Sequence, residues 1–284
     1  MNGILLINKP IDYTSRDVVN KVSKILNTKK IGHTGTLDPI ATGLLVLTIG
    51  NATKVSELIT GYNKEYIVTF KFGMETDTLD ITGNKLFESN NQVNKEVLLE
   101  VLKKYKGKVI QEVPKYSAIK IDGKKLYEYA RNNIDIELPK REINIYELEL
   151  LEYSDEIKLR CKVSKGTYIR SLIRDIGREL NTYATMTSLI RTKQGDFNLK
   201  NSFTIQDIEN NKYKIISLND FFCNYDKIYV DDIEYRKVIN GNKIKDIYEI
   251  KKFVAIYHDD LLLAIYEKED DYLKPYKMLN NNKE

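Results

Sequence analysis

One short segment of this chain, residues 32–43, contains the residue types that most readily do chemistry. Its sequence, GHTGTLDPIATG, combines three glycines and three threonines with one acid, Asp38, and with His33, one of only two histidines in the chain. Glycines such as Gly35 let a large ligand approach the backbone closely, because they carry no side chain. A single carboxylate in such a loop is a candidate nucleophile or general base. The segment therefore predicts a reactive loop centred on Asp38.

The pair formed by Asp38 and Pro39 also has a purely structural interpretation. Aspartate is a common N-cap and proline is favoured at the first helical position, so the pair predicts the start of a helix. The glycines nearby would then be ordinary turn residues, and on spacing alone this arrangement is the more common one. The two interpretations are compatible, because Pro39 disfavours helical geometry at Asp38 and would help to hold the carboxylate in place.

Length and composition indicate a globular protein of one large or two smaller domains. The chain has 284 residues, of which 42% are hydrophobic and 30% are charged. It has no apolar run long enough to cross a membrane, and its N-terminus lacks the pattern of a signal peptide. Cys161 and Cys223 are far apart, and no cysteines or histidines have metal-ligand spacing. We therefore expect a cytoplasmic protein without a metal site or a membrane anchor.

The distribution of charge is more informative than the net charge of +4. Residues 101–141 carry eleven basic and five acidic side chains, interleaved with four tyrosines. Basic side chains among aromatic rings are typical of surfaces that bind phosphates and stack on bases. A solvated surface in a lysine-rich protein explains the same composition equally well. From residue 226 onward there are thirteen acids and eleven bases, so the C-terminal part does not predict a strongly electrostatic grip on nucleic acid.

Hydrophobic periodicity predicts a mixture of strands and helices. The predicted strands are residues 4–8, 65–73, 116–121, 143–153 and 157–163. The predicted helices are residues 15–26 with Ser15 as N-cap, 54–60, 94–106, 167–180, 204–208 and 218–222. The pattern of predicted elements changes near residue 224. After it, short strands are predicted at residues 228–230, 253–257, 261–266 and 273–278. This spacing resembles a PUA domain, an RNA-binding module.

Five ordered segments resemble the TruB family, the tRNA pseudouridine-55 synthases. They are NKP with TS at residues 8–15, GHTGTLDPIATGLL at 32–45, KEY with FGMETDTLDITG at 64–83, QEVPKYSAIK at 111–120, and SKGTYIRSL with LIRT at 164–192. The chain departs from the family pattern in four places. The glycine of the first motif is missing, Val113 stands where a second proline is usual, Ile190 stands where arginine is favoured, and Asn181 and Tyr183 stand where a small-residue pattern is favoured. These departures concern local RNA contacts and leave the residues of the reaction in place.

The resemblance implies a fold, a reaction and a substrate. The expected fold is α+β, with a pseudouridine-synthase-like mixed, largely antiparallel sheet and flanking helices in residues 1–223, and a small PUA-like β domain in residues 224–284. The basic segment at about residues 103–141 would clamp the T arm of tRNA. The implied reaction converts uridine 55 to pseudouridine after flipping the base out of the T loop. No atoms are gained or lost, so no cofactor is expected.

The same resemblance assigns roles to individual residues. Asp38 is the implied catalytic residue, Arg170 the cation beside it, and Tyr66 the tyrosine that stacks on the uracil and takes the C5 proton. Without the resemblance, Arg170 would be interpreted as an exposed first-turn residue and Tyr66 as a core aromatic. The residues predicted to bind substrate are His33, Tyr168, Leu189, Lys9 and Gly35. Asp38 could attack C1′, add to the uracil ring or assist proton removal at C2′, and the sequence favours none of these routes.

Two other functions fit parts of the pattern. A non-catalytic protein that folds or remodels tRNA would need the RNA-binding surface, but it would not need Asp38, Tyr66 and Arg170 together. A synthase that works within a guide-RNA particle would need all three. The compact C-terminal part and the absence of long basic tails favour a stand-alone enzyme instead. We therefore predict a synthase that acts as a monomer on tRNA.

Overall fold

A computed structural model describes residues 1–132 and 134–279 of the chain. The strands of the main part are, in chain order, β1 (Gly3–Lys9), β2 (Ile31–His33), β3 (Thr42–Ile49), β4 (Lys64–Phe72), β5 (Met74–Thr76), β6 (Lys85–Glu88), β7 (Gly107–Glu112), β8 (Lys120–Ile121), β9 (Lys124–Lys125), β10 (Lys140–Glu152), β11 (Ile157–Val163), β12 (Ala184–Gln194) and β13 (Phe197–Asn198). Its helices are α1 (Ser15–Ile25), α2 (Ser56–Thr60), α3 (Lys95–Lys104), α4 (Leu126–Arg131), α5 (Ile169–Glu179), α6 (Ile205–Glu209) and α7 (Leu218–Phe221), with 3₁₀ turns at Gly50–Val55 and Leu199–Asn201. The C-terminal part adds β14 (Asp226–Tyr229), α8 (Asp232–Ile239), β15 (Ile244–Lys245), β16 (Phe253–His258), β17 (Leu261–Glu269) and β18 (Tyr272–Met278).

One large mixed sheet organises the main part. Its strand order is β1-β3-β12-β4-β11-β10-β7, with β2 paired to β3 and β13 paired to β12. Neighbouring strands are antiparallel except β12 and β3, which run parallel where Ile190 and Arg191 meet Thr42 and Gly43. Helices α1, α3, α5 and α6 flank the sheet. The predicted α+β fold, with a mixed but largely antiparallel sheet, is confirmed.

The centre of the sheet brings together the segments that carry the predicted site. Strands β4 and β12 are direct neighbours, and their register places Tyr66 opposite Arg191 and Val68 opposite Leu189. Helix α5 packs on β12, and its buried side chains share one hydrophobic core with Val68 of β4. The reactive loop lies between β2 and β3, at the strand that runs parallel to β12. Residues far apart in sequence are therefore neighbours at this end of the sheet.

A separate five-stranded sheet, in the order β14-β16-β17-β18-β15, forms the small C-terminal β domain. It packs against the main part through a shared apolar cluster that includes Val55, Phe222 and Tyr257. The Lys54 ammonium also donates a 2.7 Å hydrogen bond to the carbonyl of Met278. The boundary predicted after residue 223 lies just before β14, and the assignment of this domain to RNA binding stays a prediction.

Most predicted elements are found within a few residues of their predicted bounds, with a few differences. Helix α1 is capped by Thr14 rather than Ser15, because Thr14 forms a capping box with Asp17 while Ser15 is buried. Only the last two residues of the strand predicted at 116–121 are strand. Helix α8 was not predicted, since Val238 is its only buried residue and its sequence shows no apolar face. The predicted elements also omitted the strands β2, β3, β5, β6, β7, β9, β12, β13 and β15 and the helix α4.

The close approach of α5 to the turn before β12 gives a test of this packing. A Cβ added at Gly177 would lie 2.5 Å from the carbonyl carbon of Tyr183 and 2.6 Å from the Cβ of Ala184. We predict that Gly177→Ala lowers the free energy of unfolding by about 1–3 kcal/mol, because the helix must shift to admit the methyl group. Urea unfolding followed by circular dichroism measures this. Gly32→Ala is the matched control, since its Cβ would meet nothing closer than the Thr48 hydroxyl at 3.8 Å. Equal stability of the two variants would contradict this packing.

Candidate active site

Asp38 lies in a turn, not at the start of a helix. The carbonyl of Asp38 accepts a hydrogen bond from the amide of Ala41 at 3.0 Å, and the chain enters β3 at Thr42. The helix start predicted at Asp38 and Pro39 is therefore wrong. The apolar run of β3 pairs with β1 along its length, and this pairing ends the turn before a helix could form.

The first half of the reactive loop is held by two buried polar side chains of β12. The Gln194 amide donates to the carbonyl of Thr34 at 3.1 Å. The Arg191 guanidinium donates to the carbonyls of Gly35 at 3.1 Å and Thr36 at 2.9 Å. Both side chains are almost completely inaccessible to solvent. Loop carbonyls that would otherwise lack partners are satisfied from the neighbouring strand, which fixes the loop without secondary structure of its own.

The second half of the loop is held from β1 and α1. The amide of Leu37 donates to the Ser15 hydroxyl at 2.8 Å, and the Lys9 ammonium donates to the carbonyl of Pro39 at 3.2 Å. Lys9 also donates to the carbonyls of Pro10 and Tyr13 and is 0% exposed. Burial lowers the pKa of Lys9 to about 8. Lys9 was predicted to bind substrate, but it does not line the cleft described below, and its geometry supports a role in fixing the turn.

Arg170 holds the carboxylate of Asp38 in a two-pronged ion pair. Its Nε donates to Oδ2 of Asp38 at 2.9 Å and its Nη2 donates to Oδ1 at 3.1 Å. The same guanidinium donates to the carbonyls of Thr78 at 2.7 Å and Tyr116 at 3.0 Å. Arg170 is 5% exposed, so it is not the exposed first-turn residue of the alternative interpretation. The side chain of Asp38 is 35% exposed, which leaves the carboxylate accessible to a ligand.

Alternating residues of β4 and β12 form the floor beside this pair. Tyr66 is 6% exposed, and the Arg191 guanidinium carbon lies 5.6 Å from the centre of its ring. Leu189 is next to Arg191 on the same face of β12, and Lys64 is next to Tyr66 on the same face of β4. The floor thus offers one aromatic ring, one aliphatic side chain and two cations.

Tyr168 forms one wall, and β7 fixes its backbone. The amide of Tyr168 donates to Oε1 of Gln111 at 2.8 Å, and Nε2 of Gln111 donates to the carbonyl of Tyr168 at 3.1 Å. The Arg141 guanidinium lies 5.7 Å from the centre of the Tyr168 ring. Because Arg170 follows Tyr168 by two residues, the Gln111 contacts also fix the beginning of α5 and the direction of Arg170.

These groups surround a cleft of about 850 Å³. Six of the site residues predicted from the sequence line this cleft, namely Asp38, Tyr66, Arg170, Tyr168, Leu189 and Gly35. His33 does not line the cleft; it is half-buried, and its Nδ1 accepts a hydrogen bond from the amide of Gly35 at 3.4 Å. Burial, followed by the charges of Arg191 and Arg16, lowers the pKa of His33, which favours a neutral imidazole.

The predicted site residues omitted Lys64 and Arg191, which line the cleft. Tyr116, Tyr127 and Arg141 also line it, and the sequence pointed to them only as members of the basic segment at residues 103–141. Alternation along β4 would have placed Lys64 beside Tyr66, had the strand been started one residue earlier. Arg191 lies in the LIRT segment, but β12 was not predicted. In the described parts of the chain, no group of three or more histidine, cysteine, aspartate or glutamate side chains is arranged to hold a metal ion. No described helix is long and apolar enough to cross a membrane.

Comparison with known proteins places the chain in a family. The TruB family pseudouridylate synthase (N terminal domain) model matches residues 23–169, and the tRNA pseudouridylate synthase B C-terminal domain model matches residues 170–221. The chain is 44% identical to the tRNA pseudouridine synthase B of Caldicellulosiruptor saccharolyticus, covering 96% of this chain and 97% of that protein. It is 45% identical to the protein of the same name from Fusobacterium nucleatum subsp. nucleatum, covering 98% and 99%.

Solved structures share the fold. The crystal structure of a Cbf5-Nop10-Gar1 complex contains a chain that is 25% identical, with a TM-score of 0.74 over 98% of this chain and 85% of that one. The structure of an H/ACA RNP bound to a substrate RNA containing 2′-deoxyuridine gives a TM-score of 0.72 at 23% identity, over 99% of this chain and 86% of that one. The matched family models and the near-complete coverage of the relatives lead to one conclusion: the chain belongs to the TruB family of pseudouridylate synthases.

Proposed function

We propose that this protein converts uridine 55 in the T loop of tRNA to pseudouridine, with Asp38 as the catalytic residue. The observation that carries the proposal is the bidentate pair of Asp38 and Arg170 beside Tyr66 in a cleft of a TruB-family chain. The tRNA substrate is supported by the relatives, which are named tRNA pseudouridine synthase B. The motif resemblance supports position 55.

The reaction needs a carboxylate and a proton acceptor but no cofactor. The N1–C1′ bond breaks, the base turns, a bond forms between C5 and C1′, the C5 proton leaves and N1 takes up a proton. Asp38 can serve this sequence by attacking C1′, by adding to the ring or by taking a proton from C2′. Arg170 keeps both oxygens of Asp38 in place in each case. Tyr66 stacks on the base and accepts the C5 proton.

The depth of the site supports a reaction in which the target nucleotide leaves its stack. Tyr66 is almost fully buried at the cleft floor, so a base within a folded loop cannot reach it. Flipping costs a few kcal/mol, which stacking and phosphate contacts offset. Tyr168 and Leu189 would hold the flipped base, and His33 would contact RNA beside the loop. A volume of about 850 Å³ is ample for one nucleotide.

The basic segment at residues 103–141 supplies the grip on the T arm. Its members Tyr116, Tyr127 and Arg141 line the mouth of the cleft, and Arg131 and Lys125 lie over the Tyr127 ring. The C-terminal β domain would add a further RNA contact. We expect the protein to act as a cytoplasmic monomer without a metal or cofactor.

Asp38→Asn tests the role of the carboxylate. We predict that it abolishes turnover, because the amide is not a competent nucleophile or base, while tRNA binding stays within a few-fold of wild type. The assay incubates an unmodified tRNA transcript with purified protein and maps pseudouridine by carbodiimide adduct and primer extension. A stop at position 55 with wild type alone is the expected result. Tight binding without a stop for wild type would instead favour RNA remodelling or a guide-dependent enzyme.

Arg170→Lys tests the geometry of the pair. Lysine keeps the charge but cannot bind both oxygens of Asp38 and the carbonyls of Thr78 and Tyr116 together. We predict a fall in single-turnover rate of about 10²-fold or more, comparable to the effect of removing one preorganised hydrogen-bond donor from an active site. Arg160→Lys is the control, because its pair with Glu149 is exposed on the sheet surface. A rate within a few-fold of wild type for Arg170→Lys would contradict the requirement for the two-pronged ion pair.

If the basic segment at residues 103–141 binds tRNA phosphates, individual lysines in it should contribute to the salt dependence of tRNA affinity. Lys120 and Lys124 are exposed on the β8–β9 hairpin. We predict that the double variant Lys120→Gln, Lys124→Gln weakens tRNA binding and reduces the slope of log K against log salt, by about 0.7–0.9 for each phosphate that is no longer neutralised. The rate at saturating enzyme should not change. Filter binding between low and moderate salt measures this, with Lys85→Gln outside the segment as control. An unchanged slope would exclude these lysines from the clamp.

A further inference from the structure

Two cations of the cleft floor, Lys64 and Arg191, have no acidic partner in the described chain. Arg191 is 1% exposed and donates only to carbonyls, and its Nε is buried without a hydrogen-bond partner among the described residues. Lys64 is 8% exposed and donates to the carbonyls of Thr60 at 3.0 Å and Tyr62 at 2.9 Å. These two bonds leave one of its three ammonium protons unassigned.

Two other buried arginines, one in the cleft and one outside it, differ in this respect. Arg170 pairs with Asp38, and Arg174 pairs with Glu112 and Asp175. Burying a charge without a counter-charge is costly, and placing two like charges near each other adds to that cost. Burial, followed by the charges of Arg191 and Lys165, lowers the pKa of Lys64 to about 8, so the ammonium is still charged at pH 7. A negative charge that arrives in the cleft would offset this cost.

The two cations lie against Tyr66 and the reactive loop. Arg191 is the cross-strand neighbour of Tyr66, and Lys64 lies two residues before it on the same face of β4. A Cβ added at Gly35 would lie 3.5 Å from Cε of Lys64 and 3.6 Å from Nη1 of Arg191, so both side chains reach the same loop residue. All four residues line the cleft that holds Asp38. The positive charge is therefore placed where Tyr66 would hold the base.

Negative charge develops on the base whichever route Asp38 takes. If Asp38 attacks C1′ or removes the C2′ proton, the N1–C1′ bond breaks and its electron pair stays on the uracil, which becomes an anion. If Asp38 adds to C6, the pair of the C5–C6 double bond moves onto C5 and O4. The charge on the base is finally removed once C5 has bonded to C1′, the C5 proton has left and N1 has taken up a proton. A phosphate of the RNA, in contrast, is fully charged before the reaction starts.

We propose that Lys64 and Arg191 form a cationic floor that stabilises the uracil anion formed during the reaction. The inference rests on the proposed function and extends it from Asp38 to the side of the site that receives the base. Because the charge exists only after binding, the floor acts on the rate of the chemical step more than on affinity.

Lys64→Gln and Arg191→Lys separate the effect of the positive charge from the effect of the hydrogen bonds to backbone carbonyls. Lys64→Gln removes the charge and keeps a donor for the carbonyls of Thr60 and Tyr62. Arg191→Lys keeps the charge but cannot donate to all the loop carbonyls that the guanidinium reaches. We expect Lys64→Gln to lower the single-turnover rate at saturating enzyme by about 10- to 100-fold, with the Kd for tRNA within about 3-fold. Arg191→Lys should retain more activity than Arg191→Gln. Lys165→Met, which removes an exposed cation of the same cleft, should weaken binding more than it slows turnover.

A substrate with a more stable base anion provides the decisive comparison. A tRNA assembled by ligation carries either uridine or 5-fluorouridine at the target position. The fluorine withdraws electrons, so its base anion needs less help from the protein. We expect the rate defect caused by Lys64→Gln to be at least about 3-fold smaller with 5-fluorouridine, as measured by consumption of that nucleoside after nuclease digestion.

Three results would overturn the inference. Equal rate defects with both substrates would mean that Lys64 only maintains structure, and a weaker Kd at an unchanged rate would mean that the floor binds a phosphate. If wild-type protein converts neither tRNA, the proposed function fails and the inference fails with it. If wild-type protein converts the uridine tRNA and only the variants are slow, the result bears on the cationic floor alone. Failure of the inference can therefore be told apart from failure of the proposed function.

Discussion

The guanidinium of Arg170 connects four separate stretches of chain, and the geometry of the site depends on it. It extends from the first turn of α5 and contacts the carboxylate of Asp38 and the carbonyls of Thr78 and Tyr116. Arginine suits this position because its planar fork can serve several acceptors at fixed angles without losing its charge. Any shift of α5 relative to the sheet would therefore displace the carboxylate, the turn at Thr78 and the clamp segment together.

The reactive loop shows how a segment without regular structure can be held rigid. Its backbone groups are bonded in order to Gln194, Arg191, Ser15 and Lys9, which come from three different elements. All four side chains are buried, where an unmade hydrogen bond is costly, so each contact favours one loop conformation. The small residues of the loop leave room for a ligand on its other side. One face of the reactive loop is therefore fixed by buried hydrogen bonds, while its opposite face stays accessible to a ligand.

Charge in the cleft is divided between two regions. On the Asp38 side, the cation and the carboxylate form a matched pair. On the Tyr66 side, Lys64 and Arg191 face the cleft without an acidic partner in the described residues. The first arrangement fixes the Asp38 carboxylate in one orientation. The second makes that side of the cleft electropositive, and the proposed uracil anion would complement it.

Local sequence patterns were enough to predict several strands and helices and three residues of the candidate site. Alternating apolar residues predicted β4 and β11, helical periodicity predicted α1, α3 and α5, and the motif segments identified Asp38, Tyr66 and Arg170. Other elements were not visible in this way. Strand β12 contains register shifts between Met186 and Ser188 and between Arg191 and Lys193, which break the alternation that marks a strand.

Only the tertiary structure decided which side chains surround the cleft and which support it. Lys9 belongs to a family motif, yet folding places its ammonium among backbone carbonyls of the turn, away from the cleft. Arg191 and Lys64 lie within motif segments, but their place at the cleft floor depends on the pairing of β12 with β4. The helix start predicted at Asp38 became a turn, because the pairing of β3 with β1 outweighs a local capping preference. Local sequence fixes residue types and short elements, whereas contacts between distant strands decide burial, and burial decides what a charged side chain can do.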